Sequence, residues 1–177
     1  MSWQITTQPT AEPVALDDVK ARLKLTSTAD DVTLTSQITQ AREFCERISG
    51  RSLAAKSYAF FMDQFPFPRH PIRLPFAPLL AVTAIKFVDD TLSQQTWDPS
   101  EYWVAANQDP GLIVPVPNVV YPWPAPVPGA VEVDFNAGGL CPADWQRVVQ
   151  NVAMFIYANP AERIPETLVQ IPKLWTF

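Results

Sequence analysis

The sequence predicts an α+β chain, helical toward both ends and β-rich between them. Three observations carry that expectation. Residues 30–51, DDVTLTSQITQAREFCERISGR, place Leu34, Ile38, Ala41, Cys45 and Ile48 at steps of four and three, which on a helix of 3.6 residues per turn is a single apolar stripe. From Tyr58 to Asp63, and again from Ala130 to Phe135, apolar and polar or smaller residues alternate with the period of a strand. From Pro142 the helical period returns, with Trp145, Val148, Val149, Val152, Phe155 and Ile156 on one broad face.

Taken in order, MSWQITTQPTAE reads as an extended lead with Trp3 and Ile5 as anchors. Residues 14–25 follow as a short helix: Leu16, Val19 and Leu23 share a face, and Asp17 and Asp18 lie in the first turn, where negative charge suits the macrodipole. The helix over 30–51 opens on Asp30 and Asp31 and closes on Arg47 and Gly50, glycine being suited to the left-handed closing conformation. Its other face carries Thr35, Gln37, Gln40, Arg42, Glu43 and Glu46, and is expected to meet water or a partner. The first third is thus a helical hairpin.

Beyond Arg51 the pattern becomes strand-like. Pro66, Pro68, Pro71, Pro75 and Pro78 leave only short extended pieces such as residues 72–74, since each proline removes a donor and holds its predecessor extended. A strand over 81–88 turns at Asp89, Asp90 and Thr91 into 92–97, making a hairpin. Further strands are predicted at 102–105, 112–116 and 130–135; in the last, Glu132 and Asp134 face water. Between them PVPNVVYPWPAPVPG is too rich in proline for a central strand and too rich in Val, Tyr and Trp for a solvated linker, so a packed loop is expected. The closing helix over 142–159 packs on the second, and AERIPETLVQIPKLWTF ends the chain on an apolar group. A terminus this hydrophobic must dock, on its own domain or on another chain.

Composition narrows the function classes. Only 18% of the 177 residues are charged, against roughly 25% in ordinary soluble domains, so much of the surface is uncharged and suited to burial against other subunits. Thirteen scattered Lys and Arg and a net charge of −5 argue against general nucleic-acid binding. No apolar run approaches the roughly 18–20 residues of a membrane span and no basic-then-apolar start resembles a signal peptide, so a soluble protein made in the cytoplasm is expected. Cys45 falls on the apolar stripe and Cys141 just before a helix, which fits two unpaired thiols in a reducing compartment.

The sequence offers little for catalysis. His70 stands alone between Arg69 and Pro71, and neither cysteine has a Cys or His nearby, so no metal site and no Cys–His pair is expected. The acidic pairs 17–18, 30–31 and 89–90 sit at helix starts or in a turn, where carboxylates accept backbone hydrogen bonds. Gly138 and Gly139 make the only glycine pair, without a phosphate-loop pattern, and read as a strand-to-helix turn. Tyr102, Trp103, Tyr121 and Trp123 are either core aromatics or a stacking platform for a carbohydrate or other ligand; the second reading requires an exposed aromatic row.

In the order of its short motifs the chain resembles the head-to-tail connector (adaptor, or head-completion) proteins of long-tailed bacteriophages, prophages and gene transfer agents. The matching pieces are PVALDDVKARLKL, DDVTLTSQITQAREFCERISGR, SYAFFMDQFP, IRLPFAPLLAVTAIKFVDD, WDPSEYWV, PGLIVP, PGAVEVDFNAGG and PADWQRVVQNVAMFIYANPAE. The departure is Ala15, where a Ser or Thr cap would open the first helix. The resemblance implies a mainly α member of the α+β class: a small antiparallel helical bundle with an inserted β-rich element and an extended apolar C-terminal tail. On that reading residues 1–162 are a single connector domain, with helices over about 15–25, 30–50 and 142–159 and the insertion over about 57–136, and residues 163–177 are a portal-docking tail. It implies a structural virion protein at the head-tail interface, not an enzyme, without cofactors. It would form a dodecameric ring beneath the portal protein, offer a platform to the next tail-side component, a stopper or tail terminator, and let DNA pass without specific binding. The tail's Leu168, Ile171, Pro172, Leu174, Trp175 and Phe177 would form the portal anchor, and Arg73 in the β-rich element would contact a neighbouring subunit or tail component. The alternative is a carbohydrate- or ligand-binding β-rich module of a phage or bacterial surface protein.

Overall fold

The computed structural model describes residues 1–66 and 69–169. The chain divides into two compact units, one of residues 1–9 and 55–138 and one of residues 10–54 and 139 onward.

Among its described residues the first unit is built of strands, with one 3-10 turn at Pro99–Glu101. Strands β1 (Ser2–Thr7), β2 (Lys56–Met62), β4 (Leu79–Val88), β5 (Gln94–Thr96) and β8 (Val131–Ala137) form an antiparallel sheet in the order β1-β2-β8-β4-β5. A second sheet, β3-β7-β6, is built from β3 (Ile72–Arg73), β7 (Leu112–Pro115) and β6 (Tyr102–Ala105). Registers align the residues of the larger sheet in rows. Trp3, Phe60, Val133 and Ile85 form one row, and Ile5, Tyr58, Phe135 and Val82 the next. Both lie on the core face, where Tyr58, Phe60, Val133, Phe135 and Ile85 are buried. On the opposite face Gln4, Ala59, Asp134 and Ala84 share a row, and Lys86 Nζ holds Asp134 at 2.7 Å and Glu132 at 3.4 Å. The core is strongly aromatic: Phe76 stacks on Tyr58 at 4.7 Å, Tyr58 on Phe135 at 5.3 Å, and Trp3 meets Phe76 edge-on at 4.6 Å.

The second unit holds helices α1 (Leu16–Leu23), α2 (Asp31–Ser49) and α3 (Ala143–Ala158), with a 3-10 turn at Glu166–Leu168. Leu34, Ile38, Ala41 and Cys45 from α2 and Trp145, Val149, Val152 and Ala153 from α3 are buried in one cluster with Val19 of α1. Gly50 closes α2 at φ 66° with its N–H on the Glu46 carbonyl, a left-handed position without a Cβ penalty.

Three expectations are corrected. The molecule is not a mainly α bundle with an insertion: among the described residues helix accounts for 29% and strand for 26%, and a five-stranded antiparallel sheet organises the first unit. The physical reason is that MSWQITT, read as a lead, forms β1 on β2 and so belongs to the sheet, while α1 is only eight residues long. The polar side of α2 is not uniformly wet, since Gln37, Arg42 and Glu46 are buried. Lastly, Asp30 and Asp31 do not cap α2 through their side chains: Asp30 Oδ2 accepts from the Tyr157 hydroxyl at 3.1 Å, and Asp31 Oδ1 from Lys20 Nζ at 2.6 Å. The carboxylates link α2 to α3 and to α1 instead.

Candidate interaction surfaces

Of the six tail residues, Leu168 alone is described. It ends the 3-10 turn after Pro165 and lies half-buried on the helical core beside the buried Val169. Ile171, Pro172, Leu174, Trp175 and Phe177 lie outside the described residues. Arg73 is exposed on β3, where its backbone pairs with Leu112 while its neighbour Ile72 points into the aromatic core. The structure therefore anchors Arg73 through a buried neighbour and leaves its guanidinium outward.

The four aromatics separate. Tyr102 is buried against Trp97 at 4.9 Å, and Tyr121 stacks on Phe65 at 5.0 Å, with its hydroxyl donating to the His70 carbonyl at 2.8 Å. Burial pushes the Tyr121 phenol up to about 12. Trp103 and Trp123 are exposed, at 60% and 84%. An aromatic row on one sheet face, the arrangement glycan stacking requires, does not form from these four.

The proline-rich loop is packed at its ends and open at its centre. Arg69 Nε and Nη2 donate to the Val119 carbonyl at 3.1 and 2.6 Å, and Ala125 bonds the β4 carbonyl of Val88. An apolar groove of about 620 Å³ runs between residues 63–66 and 120–126, with Trp123 and Asp63 among its lining residues. Prolines at 122, 124 and 126 fix the backbone that presents Trp123, so little conformational entropy is left to lose when that ring is covered.

A charged cluster on the α2 face expected to meet water or a partner lies inside the helical unit. The Arg42 guanidinium, 1% exposed, bonds Glu12 through Nε at 2.8 Å and Glu46 through Nη1 at 2.7 Å. Burial opposes its charge, but the hydrogen bond to Glu12 and the charges of Glu46 and Glu12 outweigh that and raise its pKa. Glu46 Oε1 in turn accepts from the backbone N–H groups of Leu53 and Ala54 at 2.8 and 3.3 Å. The i, i+4 spacing of Arg42 and Glu46 is a local signal of that pair; Glu12, thirty residues upstream, has none. Cys45 and Cys141 are unpaired, and burial pushes their thiols up to about 12 and about 11, which leaves them poor nucleophiles. His70 is exposed. Among the described residues no group of side chains has the makings of a metal site, and no helix is long and apolar enough to cross a membrane.

Residues 13–88 match the model of a family described as phage gp6-like head-tail connector protein. Over that stretch the match bears out the resemblance read from the sequence. The fold is similar to that of chains in solved gene transfer agent (GTA) particles. One is from the neck of an empty GTA particle computed with C6 symmetry, with a TM-score of 0.79 at 19% identity, covering 96% of this chain and 94% of that one. Another is from the neck of a native GTA particle computed with C12 symmetry, with a TM-score of 0.78 at 18% identity, covering 96% and 93%. A third, from the virion of a native GTA particle, has a TM-score of 0.73 at 20% identity and covers 96% and 94%. No curated protein matches the chain.

Proposed function

We propose that this chain is a head-to-tail connector: a structural virion protein that forms a ring under the portal, joins the DNA-filled head to the tail and extends the DNA channel. One concurrence supports the reading. A connector-family match over residues 13–88 coincides with a likeness of fold across 96% of the chain to components of GTA necks. The cyclic symmetry of those necks supports a ring of like copies here, twelve in the particle, with the portal protein on one side and a stopper or tail terminator on the other.

The chemistry of the chain suits that role. A charged share of 18% leaves uncharged surface for neighbours, and a net charge of −5 per copy disfavours sticking to the DNA that slides past. The chain offers apolar anchors in place of reactive groups: Leu168 roots the tail on the helical core, and Ile171, Pro172, Leu174, Trp175 and Phe177 carry the portal contact. Truncation after Gln170 tests this. Portal attachment in a co-sedimentation assay is expected to vanish while the circular dichroism and Tm of the domain stay unchanged; full retention of attachment refutes the anchor. Arg73 contributes to the contact with a neighbouring subunit or tail component. Arg73→Glu is expected to lower tail joining in an in vitro assembly assay, and unchanged joining removes that role.

A further inference from the structure

Sheet edges carry unpaired N–H and C=O groups, and proteins commonly guard them with charges or prolines. The larger sheet does neither at either end. β1 forms one edge; its six residues, SWQITT, are all exposed and include no charge and no proline, and Trp3 and Ile5 are 51% and 37% exposed. The other edge is only partly covered: β5 pairs with Lys86, Phe87 and Val88, and the Trp97 N–H that follows it reaches the Ile85 carbonyl at 2.8 Å. Within residues 80–84 of β4, LAVTA, Ala81, Val82 and Ala84 pair with β8 on one side while Leu80 and Thr83 fall at register breaks; the stretch is again without charge or proline, and Leu80 is 44% exposed.

The two edges are complementary in direction. Every neighbour in β1-β2-β8-β4 is antiparallel, so β1 and β4 run opposite ways, and β1 of another copy laid along residues 80–84 continues the alternation. Register breaks at Ile5/Thr7, Leu79/Ala81 and Val82/Ala84 keep both edges from being flat templates for any strand, which favours a partner of fixed register. We infer that β1 of one copy adds to residues 80–84 of β4 in the next, forming a head-to-tail sheet contact between neighbouring subunits. A heterologous contact of this kind closes into a ring when its rotation allows, whereas β1 pairing with another β1 yields only a two-fold dimer. The inference rests on the ring proposed above.

Cysteine cross-linking tests it. Gln4 and Ala84 lie in one row on the sheet face away from the core, Ala81 lies on that face with Thr7, and Val82 lies on the core face with Ile5. Within one chain β2 and β8 separate β1 from β4 by three strand spacings, roughly 14 Å. That exceeds the roughly 7 Å Cα limit of a disulfide, so any bond between these positions joins two copies. Gln4→Cys/Ala81→Cys and Gln4→Cys/Ala84→Cys are oxidised with portal rings and as the isolated chain at high concentration, beside Gln4→Cys/Val82→Cys and the single variants. The expected result is a covalent ladder extending beyond dimers from at least one same-face pair and absent from the controls. If copies fail to attach to the portal but the isolated chain gives the ladder, the sheet contact stands and only the portal reading is lost. Copies counted on the portal by native mass without a ladder overturn the contact. So does a product that stops at dimers and appears with Gln4→Cys alone, and so does the absence of a ladder in both settings.

Discussion

Asp89 shows how one side chain fixes a turn. Its Oδ1 accepts from the Thr91 N–H at 2.9 Å, the Thr91 hydroxyl at 2.6 Å and the Ser93 N–H at 3.0 Å, and its Oδ2 from Gln95 at 2.8 Å. These bonds, that of the Thr91 hydroxyl first, lower its pKa from 3.8 to about 2. Because the folded value lies below the unfolded one, the stabilising contribution is fully present above about pH 4 and lost as pH falls through about 2. An NMR titration of the Asp89 carboxylate is expected to give a midpoint near 2, with faster Thr91 and Ser93 amide exchange on acidification; a midpoint at 3.8 means the turn is not built this way. The turn was legible because Asp and Thr at these offsets make local bonds. Arg42 was not, because nothing near it in sequence announces Glu12.

At the scale of elements, what each helix or strand must bury decided what was legible. The stripe Leu34, Ile38, Ala41, Cys45 and the alternation Val131, Val133, Phe135 are intrinsic to 3.6- and 2-residue periods and are buried as that geometry demands. β1 was hidden because its residues are exposed and its partner strand β2 lies some fifty residues away, so its pairing is a tertiary fact without a local turn signal. The Arg42 cluster ties α2 to Glu12 on one side and, through Glu46, to the backbone at Leu53 and Ala54 on the other. Replacing Arg42 with Met removes the buried cation that Glu12 and Glu46 share, and an isothermal urea titration is expected to show a loss of about 3–5 kcal/mol. A loss under about 1 kcal/mol would mean that water screens the cluster.

At the scale of the whole molecule, the presence of both helices and antiparallel strands could be read from the chain, but neither the opening strand β1 nor the balance between helix and sheet could. Prolines made the middle look like loops around short strands, whereas residues 1–9 and 55–138 build a five-stranded and a three-stranded sheet around their own aromatic core. Of the candidate surfaces, Arg73 was singled out by its place in a proline-framed segment and is exposed, while the exposed Trp123 between two prolines and the two uncharged sheet edges emerge only from exposure and strand order. On the proposed function, this fold completes itself on a portal ring. Cryo-microscopy of portal rings mixed with excess purified chain decides this: a cyclic ring of this fold capping one end of each portal ring is expected, whereas portal rings left bare at saturating chain refute the connector reading.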